Sequence, residues 1–439
     1  MLKKTFAIMI VALIITSFAA CNGAGSSDTG SASASATQTE SKSSSKAESS
    51  DSSSDSSSDS KDEEVTFTGY ENGIIDTTNM FTKRDLEQTA DTSSATTLEV
   101  SDGKTVSITE EGVYVIKGSA KNCTVKVEAD DNAKVQLVLD GVSVTNDSAP
   151  AIYIVSADKC FITTSADSSL SVTGAFTADG DTNTDAVIYS KDDIVLNGTA
   201  ALTISSAQGN GISGKDDVKI TGGTYNITSA LDSVEANDSI AVYDGTFNIS
   251  SSKDAFHSEN SDDDSVGFVY ICNGTFTVEA GSDSIQAMTY LQIDGGTFEL
   301  TSSEGLEATS IQINDGTISI SASDDGINGS QKSRSAGTPN VEINGGKLTI
   351  VRGQGDTDAI DCNGNITVSG GYIDITAQTS SFDYDGTATY NGGTIIINGE
   401  QVDSIPEPQM MGGPGGRGEM NGGGMTPPNG NMGGNGFGN

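Results

Sequence analysis

The 439-residue chain has no tryptophan, one histidine and seven prolines, and only 5% of its residues are aromatic. So few rings disfavour a ligand site built on a broad aromatic platform. One histidine and no CxxC pair make a zinc site improbable. Basic residues are scarce as well, 22 Lys and Arg against 61 Asp and Glu, for a net charge of −39. Such an acidic chain is excluded from direct partnership with nucleic acid or an anionic membrane surface. Its few cations are also too few to hold an acidic ligand by basic side chains alone. Metal cations fit the same balance well. Four cysteines beyond the leader, Cys123, Cys160, Cys272 and Cys362, read as small buried residues, with a disulfide left open by an extracellular setting.

No apolar run is long enough for a comfortable membrane span. Thr5–Phe18 follows Lys3 and Lys4 and ends in FAAC, which resembles a bacterial lipoprotein signal, with Cys21 as the lipidated first residue. Residues 1–20 are therefore expected to be removed. The Ser-rich stretch 21–64 buries too little apolar surface to repay ordering and reads as a disordered tether. The expected location is the extracellular face of the bacterial cell membrane. The Gly/Met/Pro-rich stretch 406–439 reads as a disordered tail, leaving 65–405 as one domain.

Within that domain a short unit recurs, as in VKITGGTYNIT, IAVYDGTFNIS, LQIDGGTFELT and ITVSGGYIDIT. Apolar residues alternate on either side of a glycine turn, the period of strands. The turn glycines, from Gly198 through Gly393, fall 20 to 30 residues apart. About three short strands per repeat is what one coil of a parallel β-helix needs, because a coil buries its inner face only by stacking on a neighbour. The expected fold is an all-β solenoid of about ten coils, with loop insertions at 257–267 and 329–339. Phe81–Ser93 is the one stretch outside the signal that reads as a short helix, placed to cap the end of the rod.

The segments after each glycine turn align as NGISG, DSVEA, DAFHS, DSIQA, EGLEA, DGING and DAIDC. Their first members form an acidic column at the bend: Asn210, Asp232, Asp254, Asp283, Glu304, Asp325 and Asp358. Their fourth members form an outward column, because side chains alternate along a strand: Ser213, Glu235, His257, Gln286, Glu307, Asn328 and Asp361. Like charges stacked ~5 Å apart cost roughly 1 kcal/mol per pair. Two offsets are open for the bend column. One is an Asx turn, in which the carboxylate accepts a backbone N–H two residues on. The other is shared Ca²⁺, with Asp232, Asp254, Asp283, Glu304, Asp325 and Asp358 as candidate ligands. The loop DGDTNTD adds Asp179, Asp181, Asn183 and Asp185 at the alternate spacing of many calcium loops, without the closing Glu of an EF-hand. Glu235, His257, Gln286, Glu307, Asn328 and Asp361 are the candidate carbohydrate-binding groups.

FTKRDLEQTADTS, EGVYVIKGSA, KVQLVLDGVSVTN and the DGGT-type rungs resemble a family of secreted clostridial carbohydrate-binding β-helix proteins, over roughly Thr77–Glu400. The resemblance implies a right-handed parallel β-helix of pectate-lyase-like shape, bound Ca²⁺, and binding of cellulosic or acidic pectin-like polysaccharide without cleavage. A monomeric, non-enzymatic polysaccharide binder is the expected function. The alternatives are a cell-envelope scaffold or adhesin and a calcium-dependent lyase, for which Arg352 is the one attractive base.

Overall fold

In the computed structural model, residues 67, 69–352, 357–378 and 380–408 are described; the expected signal, Cys21, the Ser-rich tether and nearly all of the expected tail lie outside them. Three parallel sheets of 13, 13 and 12 strands run the length of a solenoid, each strand pairing with the strands three before and three after it. The pairing follows from the alternation within each repeat. Thr297–Ser302, for example, buries Phe298, Leu300 and Ser302 and exposes Thr297, Glu299 and Thr301. The rod is longer than about ten coils because strands from Thr96 to Ser190 supply rungs without the regular glycine turn. At ~4.8 Å per rung, thirteen rungs give a rod of about 60 Å. An antiparallel strand pairing, Ile395↔Val402, folds the last of the described strands back on its neighbour.

Equivalent inward positions stack from coil to coil. Tyr225, Phe247, Phe276 and Phe298 form a continuous ring stack, with successive centroids 5.4, 4.7 and 4.5 Å apart and planes within 16°. Ile318, Leu348, Ile373 and Ile395 continue that column. The turn glycine is a requirement as well as a habit. Gly296 has φ of 106°, and a Cβ there would sit 3.0 Å from both the Gly274 carbonyl oxygen and the Phe298 ring. Cys123, Cys160, Cys272 and Cys362 are all buried, and none is in a disulfide with another.

Phe81–Ser93 does not form the expected end-capping helix, and no helix occurs among the described residues. The segment lies along the back sheet, the one containing Lys159–Ala166, Asp193–Gly198 and Tyr290–Ile293. Phe81 is fully buried among Phe67, Tyr243 and Tyr270. The Arg84 guanidinium stacks 4.1 Å from the centre of the Phe161 ring. Side chains of the sheet take up the backbone groups a helix would have paired. Lys219 Nζ donates to the Met80 carbonyl at 2.8 Å, Asn197 Nδ2 to that of Asp85 at 3.3 Å, and Gln292 Oε1 accepts from Ile75 N at 2.9 Å. Burial of the aromatic ring and these cross-chain bonds outweigh a weak local helix preference.

Candidate functional site

The twelve-stranded sheet carries the two columns. Its register pairs Tyr153, Tyr189, Ser213, Glu235, His257, Gln286, Glu307, Asn328, Asp361 and Asp383 in one row. Upstream the row continues through Lys126 to Ser107, and its two tyrosines, in edge contact at 5.7 Å, are 5% and 3% exposed and offer no open platform.

The bend column is organised differently from an Asx turn. Asn210 Oδ1 accepts the backbone N–H of Asp232, Asp232 Oδ1 that of Asp254, and Asp254 Oδ1 that of Asp283, at 2.8–2.9 Å. Asp325 Oδ1 accepts the N–H of Asp358 at 2.7 Å. Each acid thus caps the next coil rather than its own bend. A charge-assisted bond of this kind is worth roughly 1.5–3 kcal/mol, enough to offset the repulsion along the stack.

This ladder breaks at Glu304. The acid follows the inward residue by seven positions at Tyr225–Asp232, Phe247–Asp254, Phe276–Asp283 and Ile318–Asp325, but by six at Phe298–Glu304. The shorter bend turns the Glu304 N–H to the Ser282 carbonyl at 3.3 Å, and the extra methylene of Glu carries its carboxylate toward Asn328 of the outward row. There Asn328 Nδ2 donates to Glu304 Oε2 at 3.0 Å, while Asn328 Oδ1 is buried and has no hydrogen-bond partner. Carboxylate oxygens of Asp283, Glu304 and Glu307 all lie within 4.8 Å of one another. Glu307 is the most heavily supported of the three. Its Oε2 accepts from Gln286 Nε2 at 2.8 Å and from Lys332 Nζ at 2.7 Å, and its Oε1 from Ser330 Oγ at 2.9 Å.

Burial pushes the Asp283 carboxyl up, and the neighbouring Asp254, Glu304 and Glu307 charges push it further, which favours its neutral form beside Glu307. Glu307 itself is lowered despite burial, by Lys332 and Ser330. Glu304 is pushed up to about 7 by burial and by Glu307, against the Asn328 bond. A site crowded enough with negative charge to favour a protonated carboxyl has the donor set of a hard divalent cation.

A second group, Asp232, Asp254 and His257, also converges within 4.8 Å. His257 Nδ1 lies 3.5 Å from Asp232 and 3.7 Å from Asp254, and Nε2 is 3.2 Å from Glu259. Burial opposes the imidazolium charge, but the Asp232 bond and the Asp232 and Asp254 charges outweigh it and push His257 up to about 9. This cluster therefore carries its own cation. Because the folded value lies above the unfolded 6.5, its stabilisation is complete below pH ~6.5 and is lost as pH rises through ~9. The unfolding free-energy gap between wild type and His257→Gln should be widest near pH 6, on the order of 2–3 kcal/mol, and should close above pH 9.5. A gap that widens with pH would contradict this assignment.

The remaining candidates are spread out. Glu235 Oε2 accepts from Asn210 Nδ2 and Ser213 Oγ at 2.8 and 2.7 Å. Asp361 is pushed up to about 7, by burial first and then by Asp325, Asp358 and Asp383. The DGDTNTD loop does not gather its acids: Asp179 accepts from the Tyr153 hydroxyl, Asn183 donates to Asp185, and Asp181 is exposed. Arg352, the candidate base, is 5% exposed, and its guanidinium donates to the Asp324 and Thr357 carbonyls. Lys332 and Ser330 were not legible as site residues, because they reach Glu307 from an insertion whose path has no periodicity.

The stacked coils, with one polar, carboxylate-lined face, define a parallel β-solenoid. The chain belongs to the carbohydrate-binding domain-containing protein family, whose profile matches residues 102–357. A relative of that description from Acetivibrio thermocellus is 37% identical over 193 residues, which is 43% of this chain and 68% of the relative. Among solved structures, a polysaccharide lyase-like protein from C. thermocellum, studied as a gadolinium derivative, is 27% identical with a TM-score of 0.42. That match covers 51% of this chain and 93% of the other.

Proposed function

We propose that the protein is a lipid-anchored, cell-surface binder of acidic, pectin-like polysaccharide. It holds the polymer without cleaving it, through Ca²⁺ bound by Asp283, Glu304 and Glu307. The observation that carries this reading is the ladder break: three carboxylates converge where the backbone ceases to neutralise them, beside the unpartnered Asn328 oxygen. Membership of a carbohydrate-binding family supports the ligand class. The metal answers the charge problem, since Ca²⁺ bridges an acidic protein and an acidic sugar that would otherwise repel. The outward row, from Glu235 to Asp361, supplies hydrogen-bonding groups along the polymer. Binding rather than lysis is favoured because Arg352 is 5% exposed and its Nε and Nη1 donate to backbone carbonyls. Anchoring through Cys21 would place this face outside the cell.

The test is retention of the protein on immobilised polygalacturonate with Ca²⁺ and with chelator. Retention should fall at least tenfold on chelation and return when Ca²⁺ is restored. Retention indifferent to chelator would overturn the metal bridge, and release of unsaturated, ultraviolet-absorbing oligouronides would overturn non-catalytic binding.

A further inference from the structure

Two insertions, 257–267 and 329–339, stand beside the carboxylate cluster, and they are tied to each other. Ser335 Oγ donates to Asp264 Oδ1 at 2.6 Å, and Ser333 Oγ donates to the Asp264 carbonyl. The second insertion is also fixed to the body of the rod. Thr309 Oγ1, fully buried, accepts from Lys332 N at 3.0 Å and Ser333 N at 2.9 Å. These bonds set the direction of one side chain. The Lys332 ammonium is delivered to Glu307 Oε2, one of the oxygens the proposed cation requires.

An ammonium at 2.7 Å from that oxygen and a divalent cation on the same oxygen compete for one negative charge. The two cations differ in what they do next. Lys332 is at the end of a flexible stem, 28% exposed, so it can leave Glu307 without unfolding the insertion that carries it. Once displaced, it lies at the edge of the same face and needs a new anion. A polymer carboxylate held by the metal would be within its reach, whereas a neutral glucan would offer it none.

We propose that Lys332 is a built-in counter-ion that makes Ca²⁺ and polyuronate bind cooperatively and selects acidic over neutral polysaccharide. It occupies Glu307 when the polymer is absent, which weakens Ca²⁺ binding. When a uronate carboxylate takes the ammonium, Glu307 is released to the metal. By linkage, polymer tightens Ca²⁺ by the same factor that Ca²⁺ tightens polymer. This rests on the calcium-bridged reading above, and it assigns part of the coupling to one side chain.

The experiment is calorimetric titration of CaCl₂ into the purified protein, with and without polygalacturonate and with a neutral cello-oligosaccharide in a third arm. In wild type, polygalacturonate should tighten Ca²⁺ about tenfold and the cello-oligosaccharide should leave it unchanged. Lys332→Met should bind Ca²⁺ alone about tenfold more tightly than wild type and keep only the part of the coupling to polygalacturonate that the metal bridge itself supplies. Lys332→Arg, which keeps the charge, should stay within a few-fold of wild type. A reading that needs no variant is acylation of Lys332 in the wild-type protein, followed by mass spectrometry, which should rise when Ca²⁺ is added alone. If Ca²⁺ binds in wild type but Lys332→Met neither tightens it nor reduces the coupling, the counter-ion role is overturned and the metal site stands. If neither protein binds Ca²⁺, the metal reading falls and takes the counter-ion with it.

Discussion

Asp283→Asn should leave the fold intact in chelator and remove about half of the stabilisation that Ca²⁺ confers on the wild type. The reasoning turns on what Asp283 is before metal arrives. It is 6% exposed and surrounded by Asp254, Glu304 and Glu307, and that burial and charge favour its neutral, protonated form. A protonated carboxyl and a carboxamide have nearly the same size, and neither carries charge. Metal-free Asp283→Asn should therefore melt within a degree or two of wild type, or slightly above it. With Ca²⁺ the two diverge. The metal must expel the proton to gain a carboxylate in wild type, and it finds only a neutral oxygen in the variant. Removing one full charge from a three-carboxylate site should weaken Ca²⁺ at least tenfold, and Glu304→Gln added to it should remove measurable binding. Wild type at Ca²⁺ one hundred times its dissociation constant gains about 2.7 kcal/mol by mass action, and the double variant should gain none. Thermal melts of the variants with Ca²⁺ and with chelator read this directly. Equal calcium-induced shifts in wild type and the double variant would place the metal elsewhere.

The architecture was legible because two signals agree at every repeat. Alternation of apolar residues fixes strands, and the return of glycine at similar spacing fixes their stacking, so both columns could be written down before any coordinate. What was hidden depends on differences of a single residue. The bend at Glu304 is one residue shorter than its neighbours, a change visible in the sequence but without meaning until the N–H ladder between coils is known. The same holds for Phe81. Its segment has helix-compatible composition, and only the aromatic residues of the back sheet, Tyr243 and Tyr270, explain why it lies flat there. Lys332 belongs to the least predictable part of the chain, an insertion held by Thr309 and Asp264 rather than by periodicity. The DGDTNTD loop is a different case: its alternate spacing was plain in the sequence, but the way its groups are used was not, with Asp179 accepting from the Tyr153 hydroxyl and Asp185 from the Asn183 amide.

Phe276→Ala should cost about 3–5 kcal/mol of unfolding free energy, the usual loss for a buried phenylalanine. Its ring is 1% exposed and lies between Phe247 and Phe298, at 4.7 and 4.5 Å, with Phe256 edge-on at 5.8 Å. Three ring contacts are lost together, and each such pair is worth roughly 0.5–1.5 kcal/mol beyond its buried area. In a solenoid the neighbouring coils share the damage, because each is stabilised mainly by those above and below it. Urea unfolding should therefore show a lower midpoint and a broader transition, as the two halves of the rod lose some of their coupling. The consequence for the site follows from chain order. Phe247, Phe276 and Phe298 lead directly into Asp254, Asp283 and Glu304, so the ring stack sets the spacing of the coils that carry the carboxylates. A cavity at Phe276 loosens the strand that presents Asp283, and Ca²⁺ affinity should fall although no metal ligand has changed. Ile395→Val, at the far end of the same inward column, serves as the control: it should cost about 1 kcal/mol and leave Ca²⁺ binding as it was. If Phe276→Ala lost its stability but kept full Ca²⁺ affinity, the carboxylates would be held by their own hydrogen bonds and not by the core beneath them.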